Sequence, residues 1–274
     1  MIHILTIHWV TDVWIDIQLK YFSEFLSSPY QTYAFLNRVP RVAEHRKKFN
    51  YTSIEEIVSH PIKLNLLADM ACFNSNSDDD LLIFVDGDAF PIAPLDEFLG
   101  EKLKKHPLLA VQRLDNIGDL QPHPCFCVTT VRFWKKISGD WKKGSKPWIN
   151  YDGNKVNDVG GAMLQKMNHF DVDWYKLNRS NTKRYVNKLL FGAYDNLVYH
   201  HGAGFRPPRV RADRANVNNF KRKQKLFKFV KRFFPESFGM KYFHPLRNHI
   251  LENQMLSEAM FEEIKNNFDF YKDL

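Results

Sequence analysis

The sequence predicts an α/β fold in which one domain, residues 1–206, is built on a mostly parallel sheet, and a basic, mainly helical extension occupies residues 207–274. Three observations carry this expectation. Apolar runs of strand length alternate with segments of helical spacing, the pattern of strands joined by helices. One run, Leu81 to Val85, is apolar without interruption, as in a strand covered on both faces of its sheet. Past residue 206 the chain turns basic and aromatic and nearly loses glycine.

The elements follow in order. Residues 2–7 read as a short strand, after which Trp14, Ile17, Tyr21, Phe22 and Phe25 recur at helical spacing between Asp12 and Phe25. Residues 31–36 read as a second strand, closed by Asn37 and Pro40. Ile62 to Phe73 is predicted as a helix with Leu66, Leu67, Met70 and Phe73 on one side, and it breaks in the polar run Asn74 to Asp80. Beyond Leu81 to Val85, Leu108 to Val111 and Phe126 to Val131 read as strands. A loop between Gly139 and Gly153 holds Trp141 and Trp148; residues 159–169 are helical after Asp158; Val198 to His201 ends another apolar run. No internal repeat or low-complexity tract interrupts this order.

Composition bounds the rest. With 274 residues, 44% hydrophobic and 15% aromatic, the chain can bury a sizeable core. Its three cysteines, Cys72, Cys125 and Cys127, cannot all pair, and Cys-Phe-Cys without a second pair makes a poor zinc site, so all three are expected in packing in a reducing compartment. The N-terminus lacks a basic start and a long apolar run, and no stretch approaches the roughly 18 apolar residues of a spanning helix. A cytoplasmic protein is expected. Residues 206–232 carry eleven Lys and Arg against Asp213 alone, while the rest of the chain carries 28 against 30 acids. The net charge of +8 is therefore one basic segment on a nearly neutral body, which directs an anionic partner to one face.

The chemistry concentrates at Phe-Val-Asp-Gly-Asp-Ala-Phe, where the apolar strand ends in Asp86, Gly87 and Asp88. A parallel sheet delivers such residues to its carboxyl edge, where open α/β folds bind ligands. Two carboxylates there repel one another unless protons or a cation neutralise them. A hard divalent ion, Mn²⁺ or Mg²⁺, takes oxygen ligands and bridges to diphosphate, while Gly87 allows close backbone approach. The same residues also suit a plain turn that terminates a strand.

Leu-Leu-Ile-Phe-Val-Asp-Gly-Asp-Ala-Phe-Pro-Ile at 81–92 resembles the Asp-X-Asp region of nucleotide-sugar glycosyltransferases with the A-type fold. The resemblance implies a Rossmann-like nucleotide-binding domain in which Asp86 and Asp88 hold the metal and Asp86 also contacts the donor. Tyr199-His-His-Gly-Ala-Gly-Phe-Arg206-Pro resembles the late segment of the glycogenin and lipopolysaccharide galactosyltransferase group. There a His completes the metal site and a base six residues later meets the diphosphate. His200 and Arg206 have that offset, with Arg in place of the group's Lys and one glycine missing, so His200 and His201 both remain candidates. His123-Pro-Cys-Phe-Cys resembles the strand lining the sugar pocket, and Asn157-Asp158-Val-Gly-Gly resembles a helix start with an acid near the reacting sugar. Asp158 is thus a candidate catalytic residue and equally a candidate helix N-cap. By position in the same superfamily, Thr6, His8, Lys63 and Asn65 are candidate donor contacts. Beyond residue 206 the resemblance stops.

The expected function is transfer of a sugar from a UDP- or GDP-linked donor to a glycan or lipid-linked acceptor, with Mn²⁺ or Mg²⁺ as cofactor. Two alternatives use the same acids. A phosphatase of the haloacid-dehalogenase kind, or a nucleotidyltransferase, also places acids after a strand, although the phosphatase motif normally opens the chain and here residues 1–85 precede it. A non-catalytic nucleotide-sugar-binding module is the other. In Asn219 to Phe234, the apolar Leu226, Phe227, Val230, Phe233 and Phe234 share a helical face, while Lys221, Arg222, Lys225, Lys228 and Lys231 spread over the others. Such a helix suits either packing against the catalytic domain or an anionic membrane surface, giving a peripheral location at its inner face. Nucleic acid is not expected, because no recognition motif accompanies the charge.

Overall fold

The computed structural model describes residues 1–114, 118–151, 153–181, 192–202, 211–233 and 248–274. The chain forms two compact units, one of residues 1–200 with 271–274, the other of residues 201–270. The expected boundary near Arg206 lies outside the described residues.

The first unit is α/β. Strand β1 (Ile2–Trp9) leads to helix α1 (Ile15–Phe25) and β2 (Tyr30–Asn37); the short α2 (Val42–His45) leads to β3 (Tyr51–Ser53) and then α3 (His60–Asn74). Next come β4 (Leu81–Asp86), β5 (Ala89–Pro91), α4 (Asp96–Lys102), β6 (Leu108–Val111), β7 (His123–Thr130) and α5 (Val131–Lys136). The remainder holds β8 (Trp148–Ile149), β9 (Lys155–Val156), α6 (Gly161–His169), β10 (Tyr175–Leu177), β11 (Gly192–Tyr194) and β12 (Val198–His200).

Seven strands form the main sheet in the order β10-β6-β7-β4-β1-β2-β3. All neighbours pair parallel except β7, which runs antiparallel to both β4 and β6. The sheet is thus Rossmann-like and mostly parallel. From β1 the chain steps to β2 and β3 on one side, and α3 then carries it back to β4 on the other. This reversal makes the carboxyl ends of β1 and β4 the switch point, the place where open α/β sheets bind ligands.

Alternation within each strand divides the core into two layers. Leu5, Ile7, Leu82, Phe84 and Cys127 face α3, with Leu64, Leu67, Ala68 and Ala71 packed on them. Ile4, Ile83, Val85, Phe126 and Val128 face the other way, toward Phe22 of α1 and Leu99 of α4. Leu82 to Val85 have no exposed surface, as the unbroken apolar run predicts. Phe84 lies between Trp134 and Trp141, with ring centroids at 4.9 and 5.1 Å. All three cysteines are free. Cys125 and Cys127 face opposite layers, because the β6–β7 register slips between Ala110 and Val111.

One face is corrected. Helix α3 buries Leu64, Leu67, Ala68 and Ala71 and packs Met70 partly against them, but leaves Leu66 39% and Phe73 90% exposed, so only Leu67 and Met70 of the predicted side meet the core. The two alanines let the helix approach the sheet closely, and residues 64, 67, 68 and 71 form the better i, i+3, i+4, i+7 stripe.

In the second unit, α7 (Arg211–Phe233) and α8 (His249–Asn266) touch one another. Val217, Met260, Phe261 and Ile264 are buried there. Among the described residues, no helix is long and apolar enough to cross a membrane.

Candidate active site

Strand pairing assembles the site. A second sheet of order β11-β12-β5 is antiparallel, and its register sets His200 opposite Ala89, directly after Asp88. Strand β4 delivers Asp86 opposite Ile7, near the end of β1. One ligand atom each from Asp86, Asp88 and His200 falls within 4.8 Å of the others, a group able to hold a metal ion. His200 Nε2 stands 3.5 Å from Asp86 Oδ2 and 3.4 Å from Asp88 Oδ1. His201 is buried elsewhere, its Nε2 2.7 Å from Ser257 Oγ. Geometry therefore separates the two histidines that sequence left equivalent.

The loop between the acids is held from below. Gly87 has no room for a side chain, since a Cβ would lie 2.6 Å from the Ile7 carbonyl oxygen and 2.8 Å from His8 Nδ1. Gln18, buried in α1, donates through Nε2 to the carbonyls of Asp86 (2.8 Å) and Ala89 (2.7 Å), and its Oε1 accepts from Thr6 Oγ1 at 2.9 Å. This clamp was not signalled by sequence, where Gln18 reads as a polar interruption of an apolar stripe.

Imidazoles surround the acids. His60, at the start of α3, puts Nε2 3.3 Å from Asp86 Oδ1. Burial opposes ionisation of Asp86, but contact with His60 and the charges of His60, His200 and His123 outweigh it and hold the carboxyl well below the usual range. Burial likewise opposes charge on His200, yet Cys125 and Asp88 push its pKa well above the ordinary value. His123 is driven the other way by burial and by Arg113. His8 is buried with Nε2 unpaired, and burial pulls it down to about 4.

Other candidates lie differently. Thr6 is buried, and its hydroxyl donates to Gln18 Oε1, so it supports the loop that carries the acids. The Asn65 side chain closes a clasp, donating to Asp140 Oδ1 (2.7 Å) and accepting from the Trp141 amide (3.0 Å). Lys63 is buried and donates to Asn37 Oδ1 at 2.9 Å, and burial lowers its pKa. Asp158 is no N-cap. Helix α6 begins at Gly161 after Gly160, whose φ is 88°, and Asp158 Oδ1 accepts from the next amide, Val159, at 2.8 Å. Asp158 is close enough to oppose the charge of buried Asp119, which pairs with Arg113 at 2.7 Å. Arg206 lies outside the described residues.

No family model matches the chain, and no curated protein matches it. Among solved structures it is similar to S. aureus TarS, at 11% identity over 51% of this chain and 30% of that one, with a TM-score of 0.37. It is also similar to residues 1–349 of S. aureus TarS, at 10% identity over 96% of this chain and 73% of that one, with a TM-score of 0.41. The chain spans less than a third of the first of these structures.

Proposed function

We propose that the protein is a glycosyltransferase that draws on a nucleotide-sugar donor, UDP- or GDP-linked, and acts on a glycan or lipid-linked acceptor. One observation carries this: His200, remote in sequence, converges with Asp86 and Asp88 within 4.8 Å at the switch point of a mostly parallel sheet. Two carboxylate oxygens and an imidazole nitrogen suit Mn²⁺ or Mg²⁺, and the two acids stand beside the imidazoles of His60 and His200 at 3.3–3.5 Å. A bound cation would supply neutralisation of the nucleoside diphosphate leaving group.

The chain's own residues do the rest. Gln18 and Gly87 fix the loop so that both carboxylates face one point, which lowers the cost of ordering them when the donor arrives. His8 and Lys63, both buried, are assigned to the donor, and Arg206 is assigned to the diphosphate by its offset from His200. Asp158 orients the sugar or accepts the proton of the acceptor hydroxyl. Helix α7 is assigned to an anionic membrane surface, where a lipid-linked acceptor would be met. Lys221, Arg222, Lys223, Lys225 and Lys228 are all exposed on it, and Leu226 is 63% exposed among them.

The test is a screen of UDP- and GDP-sugars with Mn²⁺. Slow release of nucleoside diphosphate from one of them, stopped by chelator, is the expected result. Hydrolysis of an aryl phosphate with no such release would replace this function with a phosphatase. Donor binding without turnover on any acceptor would leave a binding module.

A further inference from the structure

We propose that Arg113, Asp119 and Gln121 form a recess that selects the transferred sugar by reading at least two of its free hydroxyl groups. The inference rests on the donor function above and deepens it to the identity of the transferred group.

Gln121 has no exposed surface, and neither its Nε2 nor its Oε1 has a hydrogen-bond partner. Two residues earlier, Asp119 is 1% exposed and meets Arg113 through one contact, Nη2 to Oδ2 at 2.7 Å. That contact leaves Arg113 Nε and Asp119 Oδ1 buried and without partners. A buried polar atom left unmet costs more than a made hydrogen bond returns, so four of them in the stretch from Arg113 to Gln121 oppose folding. Such a cost is retained where a ligand meets it.

Position ties the recess to the acids. His123, at the start of β7, is close enough to feel the charges of both Arg113 and Asp86, and Asp158 stands near Asp119. Gly160 packs directly on the segment, since a Cβ there would lie 3.2 Å from Gln121 Cγ and 2.2 Å from the Pro122 carbonyl oxygen. Gln112 ties the segment back by donating to the Leu120 carbonyl at 3.1 Å.

The chemistry of the four atoms selects the ligand. Arg113 Nε and Gln121 Nε2 donate; Asp119 Oδ1 and Gln121 Oε1 accept. A phosphate offers acceptors only and would face the Asp119 carboxylate. A cation would face the Arg113 guanidinium, and an apolar group would leave all four atoms unmet. Neighbouring hydroxyls each donate and accept, and match the set. A site built this way rejects analogues that lack the hydroxyl it reads.

Gln121→Leu removes two unmet polar atoms at similar volume. The melting temperature of the free protein is expected to hold or rise, whereas a glutamine with a structural role would lower it on removal. In calorimetry with Mn²⁺, affinity for UDP and GDP is expected to stay unchanged. Affinity for the hexose-linked donor that the wild type prefers is expected to fall about tenfold or more. Deoxy analogues of that donor test the unmutated protein: removal of at least one hydroxyl should cost about tenfold or more. Equal affinity for every deoxy analogue overturns the recess, as does a Gln121→Leu protein that melts lower and binds the donor undiminished. Wild-type protein that binds neither UDP nor GDP in Mn²⁺ overturns the donor function itself, a failure recognisable before any sugar is compared.

Discussion

At the residue scale, Gly87 explains why the motif is Asp-Gly-Asp. Its Cα stands against the Ile7 carbonyl and the His8 ring, so Gly87→Ala must push β4 away from β1. A loss of about 1–3 kcal/mol is expected from such overpacking, measurable by denaturant titration, together with weaker Mn²⁺ binding. Unchanged stability would mean that the loop yields. Asp158→Asn is expected to lower turnover about a hundredfold or more with little change in melting temperature, because the carboxylate caps no helix. Normal turnover in that variant would remove Asp158 from the chemistry. Asp86 and Asp88 were legible in sequence because an unbroken apolar strand points at them. Gln18, Arg113, Asp119 and Gln121 were not, because their roles depend on atoms that the fold brings in from elsewhere. The hydrogen bonds of Thr6 to Gln18 and of Asn65 to Asp140 are of the same kind, made to partners that no local pattern names.

Among the elements, β4 and β12 make the site and differ in how they could be foreseen. Strand β4 announces itself by four consecutive residues buried on both faces. The three-residue β12 was visible as an apolar run, but its pairing with β5, which brings His200 to Asp88, leaves no local trace. Helix α3 puts Leu67 and Met70 on the core as its pattern suggests, but swaps Leu66 and Phe73 for Ala68 and Ala71, because a hydrophobic pattern underweights alanines although they permit closer packing on a sheet. The opposite end of β4 offers a test that does not involve the site. Asp80 accepts from the Met1 ammonium (2.9 Å), from Ser75 Oγ (2.7 Å) and from the Asn76 and Ser77 amides. Burial resists its charge, but these donors lower its pKa from 3.8 to about 2. A carboxyl depressed in the folded state stabilises it above the unfolded value and loses that contribution as pH falls through the folded value. Stability should therefore fall between about pH 4 and pH 2, and Asp80→Asn should flatten that part of the profile. An identical slope in the variant would assign acid unfolding to other groups.

For the whole molecule, charge divides where the chain does: the basic segment 206–232 lies in the second unit, and the site lies in the first. Each Lys or Arg near an anionic leaflet contributes about 1 kcal/mol, so α7 should hold the protein on anionic vesicles at low salt and release it at high salt. Lys221→Glu, Lys225→Glu and Lys228→Glu together should abolish flotation and leave donor turnover intact. Wild-type protein that stays at the bottom of the gradient would return α7 to packing within its unit. The central claim is that Asp86, Asp88 and His200 hold a divalent cation against a nucleoside diphosphate, and calorimetry of UDP and GDP with and without Mn²⁺ tests it most directly. One of the two should bind wild-type protein only when Mn²⁺ is present, and Asp88→Asn should abolish that binding. Equal affinity in excess chelator, or undiminished affinity in Asp88→Asn, would contradict it.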